Sequence, residues 1–443
     1  MLKKWLLPLV ALLGWAVLIP SCSKSDDIKF IEVESVAFSS SASSTFIGHS
    51  FKLSVIVNPS DANEPYTLVF ESSDPAVASV DQKGEVKALK KGQAKISVCL
   101  KDRPQIRDEY DLTVTELYKA PENKKFQKVG YFPSYRNFTA ADMTDERLKM
   151  VDVACFAFAT INDDYTLTVE KPDKLSALVS RCKANGVKVL ISFAGSGKQS
   201  VFAAMSASPA SRAVFIASLR KIVETYRLDG VDNDWEFPRT SDGSDRGNTA
   251  LMKELSAWLH DPAVNKLLTM AITPGKYEGS VSNGIQNECY DFVDWFNVMV
   301  YGDSDDKTPG VHHSPFALLE TSYNYWVVKR QMPGYKFVAG IPVYGRPAGI
   351  TQSGTALGFG TILAQGGDPD KNEATVTSSG YNNGTTPYTI YYNGRPLVRQ
   401  KTRFCMDKHL GGVMFWEAGQ DCKDDRSLIK AAFDEVAGYS EIM

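Results

Sequence analysis

The chain has 443 residues, 43% of them hydrophobic, with 49 Lys+Arg against 52 Asp+Glu. That composition excludes a disordered or collagen-like chain and, at about 150 residues per domain, fits two or three domains or one large barrel with a module attached. A net charge of −3 gives no electrostatic basis for nucleic-acid binding, which depends on neutralised phosphates.

Five His residues without paired ligand spacing argue against a metal site, as do Cys at 22, 99, 155, 182, 289, 405 and 422 with no C-x-x-C among them. No cofactor is implied.

In chain order, Lys3 and Lys4 precede an uncharged run from Trp5 to Pro20. The run is short of the roughly 20 apolar residues a transmembrane helix needs and has the size of a signal peptide. Leu18-Ile19-Pro20-Ser21-Cys22 resembles a bacterial lipoprotein cleavage box, with a small residue ahead of the acylated cysteine. The resemblance implies removal of residues 1–21, lipid on Cys22, and anchoring to the outer membrane of a Gram-negative bacterium. The acidic pair Asp26 and Asp27 resembles the export tag of surface lipoproteins. Membrane contact is then through the lipid alone.

From 28 to 116 the pattern is short alternating runs, FKLSVIV at 51–57 and AKISVCL at 94–100, separated by the turn clusters Asn58-Pro59-Ser60-Asp61 and Lys83-Gly84. Period-two alternation with turns at this spacing predicts an antiparallel sandwich. The stretch ESSDPAVASVDQKGEVKALKKGQAKISV resembles the bacterial Ig-like domain of group 2. No cluster of aromatics suggests a sugar platform, so the module reads as a spacer. The polar segment 117–125, containing Pro121, reads as the linker.

Beyond 126 apolar strand-like runs alternate with helix patterns, the mark of parallel βα units. The strand candidates are 128–132, 151–159, 187–194, 228–237, 267–273, 296–301, 336–344 and 411–416. Eight such units over 126–443 predict a (β/α)₈ TIM barrel, an α/β fold whose active site lies at the carboxyl ends of the strands.

Ser208-Pro209 caps one helix, whose Val214, Phe215, Ile222, Val223 and Tyr226 recur at helical spacing. Gly186 closes another that starts near Asp173. A Gly-, Thr- and Asn-rich insertion at about 347–400 is expected to form a small lobe over the rim. Cys155 and Cys182 are expected to be buried as small hydrophobes.

The fourth strand candidate carries Asp229-Gly230-Val231-Asp232-Asn233-Asp234-Trp235-Glu236. Acids two apart on a strand share a face, so Asp232, Asp234 and Glu236 point together into the barrel mouth. Three carboxyls converging in apolar surroundings cannot all ionise readily, so at least one must be raised and able to act as a general acid. An acidic solvated strand would not be flanked by Leu228, Val231, Trp235 and Phe237, and an EF-hand loop has a different Gly position and length.

LDGVDNDWEFP resembles the D-x-x-D-x-D-x-E signature of family 18 glycoside hydrolases, the chitinase family. KVGYFPSY, FAFA, NVMVYGD, GIPVYGR and GGVMFWEAGQD at other strand ends agree in order. The resemblance implies a retaining, substrate-assisted glycosidase acting on an N-acetylglucosamine-containing glycan. The protein is expected to be a monomer. By motif position, Glu236 is the acid and then the base, Asp234 orients the substrate's acetamido group, and Asp232 shares a proton with Asp234. Tyr301 hydrogen-bonds the acetamido carbonyl. Trp416 is the floor of the −1 sugar subsite, and Tyr131, Phe158 and Met299 are other walls. Asp229 reads as structural.

Two departures stand out. Ser192-Phe193-Ala194-Gly195 replaces one Gly of the usual S-x-G-G, and Met299-Val300-Tyr301 is followed by Gly302 where the family has Asp. Asp303, one residue later, is the candidate replacement for that sugar contact. His312 and His313 read as a solvent-facing loop pair and stay outside the site. Chitin or chito-oligosaccharides, the chitobiose core of N-glycans, and non-hydrolytic glycan binding are the three substrate readings left open.

Overall fold

The computed structural model describes residues 30–39, 42–136, 143–194, 197–302, 308, 310–350 and 352–442. The signal-peptide segment 1–21, Cys22, Gly195 and Asp303 lie outside them.

The N-terminal module is all β. One sheet has the order Ala42–Phe46, Arg107–Thr115, Gly92–Leu100, Leu68–Ser72, and a second has the order Ser50–Lys52, Glu85–Ala88, Ala78–Val80. A ribbon pairs Ser35–Phe38 with Val55–Asn58. The run 51–57, read as one strand, is two. The Leu53 N–H still donates to Gly84 O, but Ser54 O accepts from Ser39 N–H, so the chain passes from sheet to ribbon there.

Ala42–Phe46 runs parallel to Arg107–Thr115, so the sandwich is not purely antiparallel. Strands so far apart in sequence have no hairpin to impose an antiparallel sense. Phe38 meets Phe70 and Tyr110 at ring centroids of 6.4 and 5.7 Å in a core completed by Ile96, Val98 and Leu112.

The segment 117–125 is bound to the second domain. The Ser256 hydroxyl donates to Tyr118 O at 2.5 Å, and Ala120 N–H donates to Asp291 O at 2.8 Å. Lys119 pairs with Asp291 at 2.8 Å and Lys91 of the module with Asp261 at 3.7 Å. Behind Ser256 stands His260, whose Nδ1 is 2.8 Å from the hydroxyl and whose Nε2 is 2.9 Å from Asp294 Oδ2.

The second domain is a closed barrel of eight parallel strands: β1 (Gln127–Pro133), β2 (Val153–Ile161), β3 (Lys188–Ala194), β4 (Gly230–Asn233), β5 (Leu267–Ile272), β6 (Trp295–Val298), β7 (Phe337–Pro342) and β8 (Gly412–Trp416). Each pairs with its sequence neighbours, and β8 closes on β1. A short strand, Leu167–Val169, adds to β2 in antiparallel sense.

The apolar residues divide by strand alternation. One cluster lies between strands and helices, and a smaller one, with Val129, Cys155, Leu190, Val338 and Met414, fills the barrel interior. The helix Pro209–Tyr226 starts where Ser208 Oγ accepts from Ser211 N–H at 3.1 Å and ends at Arg227 in the left-handed region. Its Phe215, Ile222 and Val223 are buried as expected, but Val214 faces solvent. The six described cysteines are free thiols, Cys155 and Cys182 fully buried among them.

The insertion after β7 is a four-stranded antiparallel sheet, with strands Tyr344–Pro347, Leu357–Gly358, Glu373–Val376 and Tyr388–Tyr391. Residues 395–400, expected within it, instead begin the barrel helix Arg395–Asp407, because Pro396 stands in its first turn.

Candidate active site

Parallel register assembles the site. Ser192 of β3, Asp232 of β4 and Thr269 of β5 are direct neighbours across the ladder, so the central carboxylate is flanked by two hydroxyls. Ser192 Oγ donates to Asp232 Oδ2 at 2.7 Å and Thr269 Oγ1 to Oδ1 at 2.5 Å. From across the barrel, the Tyr131 hydroxyl donates to Oδ2 at 2.8 Å and Asn297 Nδ2 to Oδ1 at 3.2 Å. Asn297 also donates to the Tyr131 oxygen at 3.0 Å, and its own Oδ1 accepts from Trp295 Nε1 at 3.2 Å. Two of the four donors, Tyr131 and Asn297, are thus themselves oriented by a further hydrogen bond.

The β4 ladder ends at Asn233, four residues before the end of the run 228–237 read from the sequence. The alternation nevertheless persists, because Asp234 N–H still donates to Phe193 O at 3.0 Å. Asn233 and Trp235 point outward. Asn233 Nδ2 donates to Asn248 Oδ1 at 3.0 Å, its Oδ1 accepts from Trp235 N–H, and Trp235 stacks on Phe202 at 5.4 Å. Asp232 and Asp234 are buried on the opposite face, and Glu236 reaches the solvent of the cleft. Non-proline cis peptide bonds fall at Ala157–Phe158, Glu236–Phe237 and Trp416–Glu417, within or just after β2, β4 and β8.

The electrostatics separate the three acids. Burial raises Asp232, and its four donors pull it back toward the ionised form. Asp234 is raised well above the usual carboxyl range by burial first, then by the charges of Glu236 and Asp232. Its Oδ1 is buried with no hydrogen-bond partner among the described residues. Glu236 is raised by the protein walls that replace part of its hydration, even though its carboxyl opens to the cleft. The arrangement favours a carboxylate at Asp232, a proton on Asp234 and a protonatable acid at the mouth.

Trp416 closes β8 half-buried, with Phe158 stacked beside it at 5.9 Å and 24°, and Tyr131 at 5.3 Å. Met299 and Tyr301 are half-buried at the end of β6, where the Tyr301 hydroxyl points at Met414 Sδ at 3.9 Å. Tyr131 departs from its expected place as a subsite wall. It is 1% exposed and its hydroxyl is committed to Asp232, so it holds the carboxylate from below. Asp229 Oδ2 accepts from Val189 N–H at 2.8 Å, tying β3 to the start of β4.

Sequence reasoning gave Thr269 and Asn297 no role, and noted Ser192 only within a motif. The available signal was a lone polar residue at an inward position of an otherwise apolar strand. His313, read as solvent-facing, is fully buried.

A parallel barrel whose fourth strand delivers three carboxyls to a mouth floored by an aromatic is the architecture of a glycosidase. The model of glycosyl hydrolases family 18 matches residues 127–421, so the chain belongs to that family, and the bacterial Ig-like domain (group 2) matches residues 32–109. Endochitinase 1 of Metarhizium robertsii is 27% identical over 294 residues, 58% of this chain and 67% of its own length. Chitinase C of Streptomyces lividans is 28% identical over 281 residues, 54% of this chain, and the chain spans only 44% of that relative. The crystal structure of a GH18 chitinase from the chitin utilization locus of Flavobacterium johnsoniae superposes with a TM-score of 0.58 at 24% identity, over 72% of this chain and 96% of that one.

Proposed function

We propose that the protein is an endo-acting hydrolase of β-1,4-linked N-acetylglucosamine, with chitin or chito-oligosaccharides as substrate. The observation that carries the reading is the inward row Asp232, Asp234, Glu236, graded from buried and four times hydrogen-bonded to open on the cleft. The chitinase names of the two relatives support the substrate class.

The −1 sugar lies on Trp416. Its acetamido oxygen attacks C1 as the C1–O4 bond breaks, and Glu236 gives its proton to the departing oxygen. Asp234, whose Oδ1 lacks a partner among the described residues, takes up the acetamido N–H and offsets the positive oxazolinium charge, with its proton shared toward Asp232. Tyr301 holds the acetamido carbonyl. Water then attacks C1 and returns a proton to Glu236, so configuration is retained. Phe158 and Met299 wall the subsite, and Asp303 stands in for the acid that Gly302 lacks. Lipidation of Cys22 places the enzyme at the outer-membrane surface, with the Ig-like module as its stand-off.

Mass spectrometry of products from the full chain, incubated with chitopentaose and separately with a high-mannose glycoprotein, tests the reading. Short chito-oligosaccharides are expected. Release of a glycan that leaves one N-acetylglucosamine on the protein would redirect the proposal to the N-glycan core, and glycan binding without any product would overturn hydrolysis.

A further inference from the structure

Tyr301 is followed by a glycine with φ +76°, around which a Cβ would meet nothing within 4 Å. Gly302 itself therefore brings no side chain to hold the backbone immediately after the tyrosine. The anchors come from residues 312–314. Ser314 Oγ donates to Val300 O at 2.6 Å, on one side of Tyr301, and Gly302 N–H, on the other, donates to His313 Nδ1 at 3.4 Å.

The His313 ring also lies over Tyr344 at 5.0 Å, and Tyr344 meets the Tyr301 ring edge-on at 6.3 Å. Two routes, one through backbone and one through rings, thus lead from His313 to Tyr301.

The histidine is held from behind. His312 lies parallel to it at 5.7 Å, accepts from Ser314 N–H at 2.9 Å, and donates from Nε2 to Tyr392 O of the insertion lobe at 2.8 Å. The buried Lys401 donates to both Ser314 O and Ser314 Oγ at 2.8 Å. With Nδ1 accepting, the His313 ring proton sits on Nε2, which is buried without a partner among the described residues.

We infer that His313 is a positioning residue for Tyr301, fixing the tyrosine's backbone through Gly302 and its ring through Tyr344. The inference rests on the role proposed for Tyr301 above. Misplacing the hydroxyl should act on the cyclised intermediate more than on the resting sugar, since orientation is needed most where charge develops.

The test uses the full chain with His313→Ala, His313→Asn and Tyr301→Phe, alone and combined. Measured are kcat and KM on a chromogenic chitobioside, and the Kd of a thiazoline analogue of N-acetylglucosamine. His313→Ala is expected to lower kcat on the order of 10- to 100-fold, with KM little changed and thiazoline affinity weakened in parallel. His313→Asn, which keeps an acceptor for Gly302 N–H, should recover part of the loss and carries the test if the alanine variant does not fold.

In the Tyr301→Phe background His313→Ala should add almost nothing, because it acts through the missing hydroxyl. An unchanged kcat, or a loss fully additive with Tyr301→Phe, overturns the inference. If the wild type neither cleaves the chitobioside nor binds the thiazoline, it is the reading of the whole site that fails.

Discussion

Asp232 accepts four hydrogen bonds while Asp234 Oδ1, two residues further along the same strand end, accepts none among the described residues. Like carboxyls in one pocket are thereby made unequal: the donors keep the charge on Asp232, and burial beside that charge keeps the proton on Asp234.

That inequality predicts a pH signature in stability. The folded pKa of Asp234 is raised above its ordinary 3.8, so its contribution is full below 3.8 and is lost as pH rises through the folded value. Asp234→Asn has no such group to ionise. Its melting temperature relative to wild type should therefore become more favourable as pH rises above about 4. A pH-independent difference in thermal melts would show that Asp234 titrates like an exposed carboxyl.

Glu236 must be protonated to act as the acid, and its pKa is raised above 4.5. The alkaline limb of kcat/KM should accordingly lie above 4.5, and it reports the coupled cluster rather than one residue. Glu236→Gln should lower kcat by about 10²- to 10⁴-fold while chitotetraose binding, followed by calorimetry, persists. Hydrolysis at the wild-type rate would dismiss Glu236 as the acid.

Lys401 is buried and its pKa falls from 10.5 to about 7. The fold therefore disfavours its charged form, at a cost that is absent above 10.5 and grows as pH drops toward 7. Lys401→Met loses the two bonds to Ser314 but also this cost. Its stability relative to wild type should improve between pH 10 and pH 7, and chemical denaturation at both pH values measures the trend.

The Ser256 hydroxyl clasps Tyr118 O, with His260 and Asp294 lined up behind it. Ser256→Ala should cost about 1 kcal/mol and speed proteolytic cleavage within 117–125. Cleavage at the wild-type rate would mean that the clasp does not hold the segment to the barrel.

Eight strand runs were legible because each is a local apolar signal, and each observed strand overlaps its predicted run. The shared face of Asp232, Asp234 and Glu236 was legible for the same reason, since side-chain alternation depends on the backbone alone. The split of 51–57 between sheet and ribbon was not, because it depends on Gly84 and Ser39, which stand apart in sequence and meet only in the fold. The His312–His313 pair looked like surface because it falls in a loop between a strand and a helix start. Tyr344, Tyr392 and Lys401, which bury it, come from later in the chain.

The sequence by itself determined the barrel, the Ig-like module and the residues that carry the acids, since period and motif are properties of neighbouring positions. Only the tertiary structure decided how those acids differ. The donors that pull Asp232 back toward the ionised form come from β1, β3, β5 and β6, and burial and hydrogen bonding by distant strands set a pKa that no local pattern encodes.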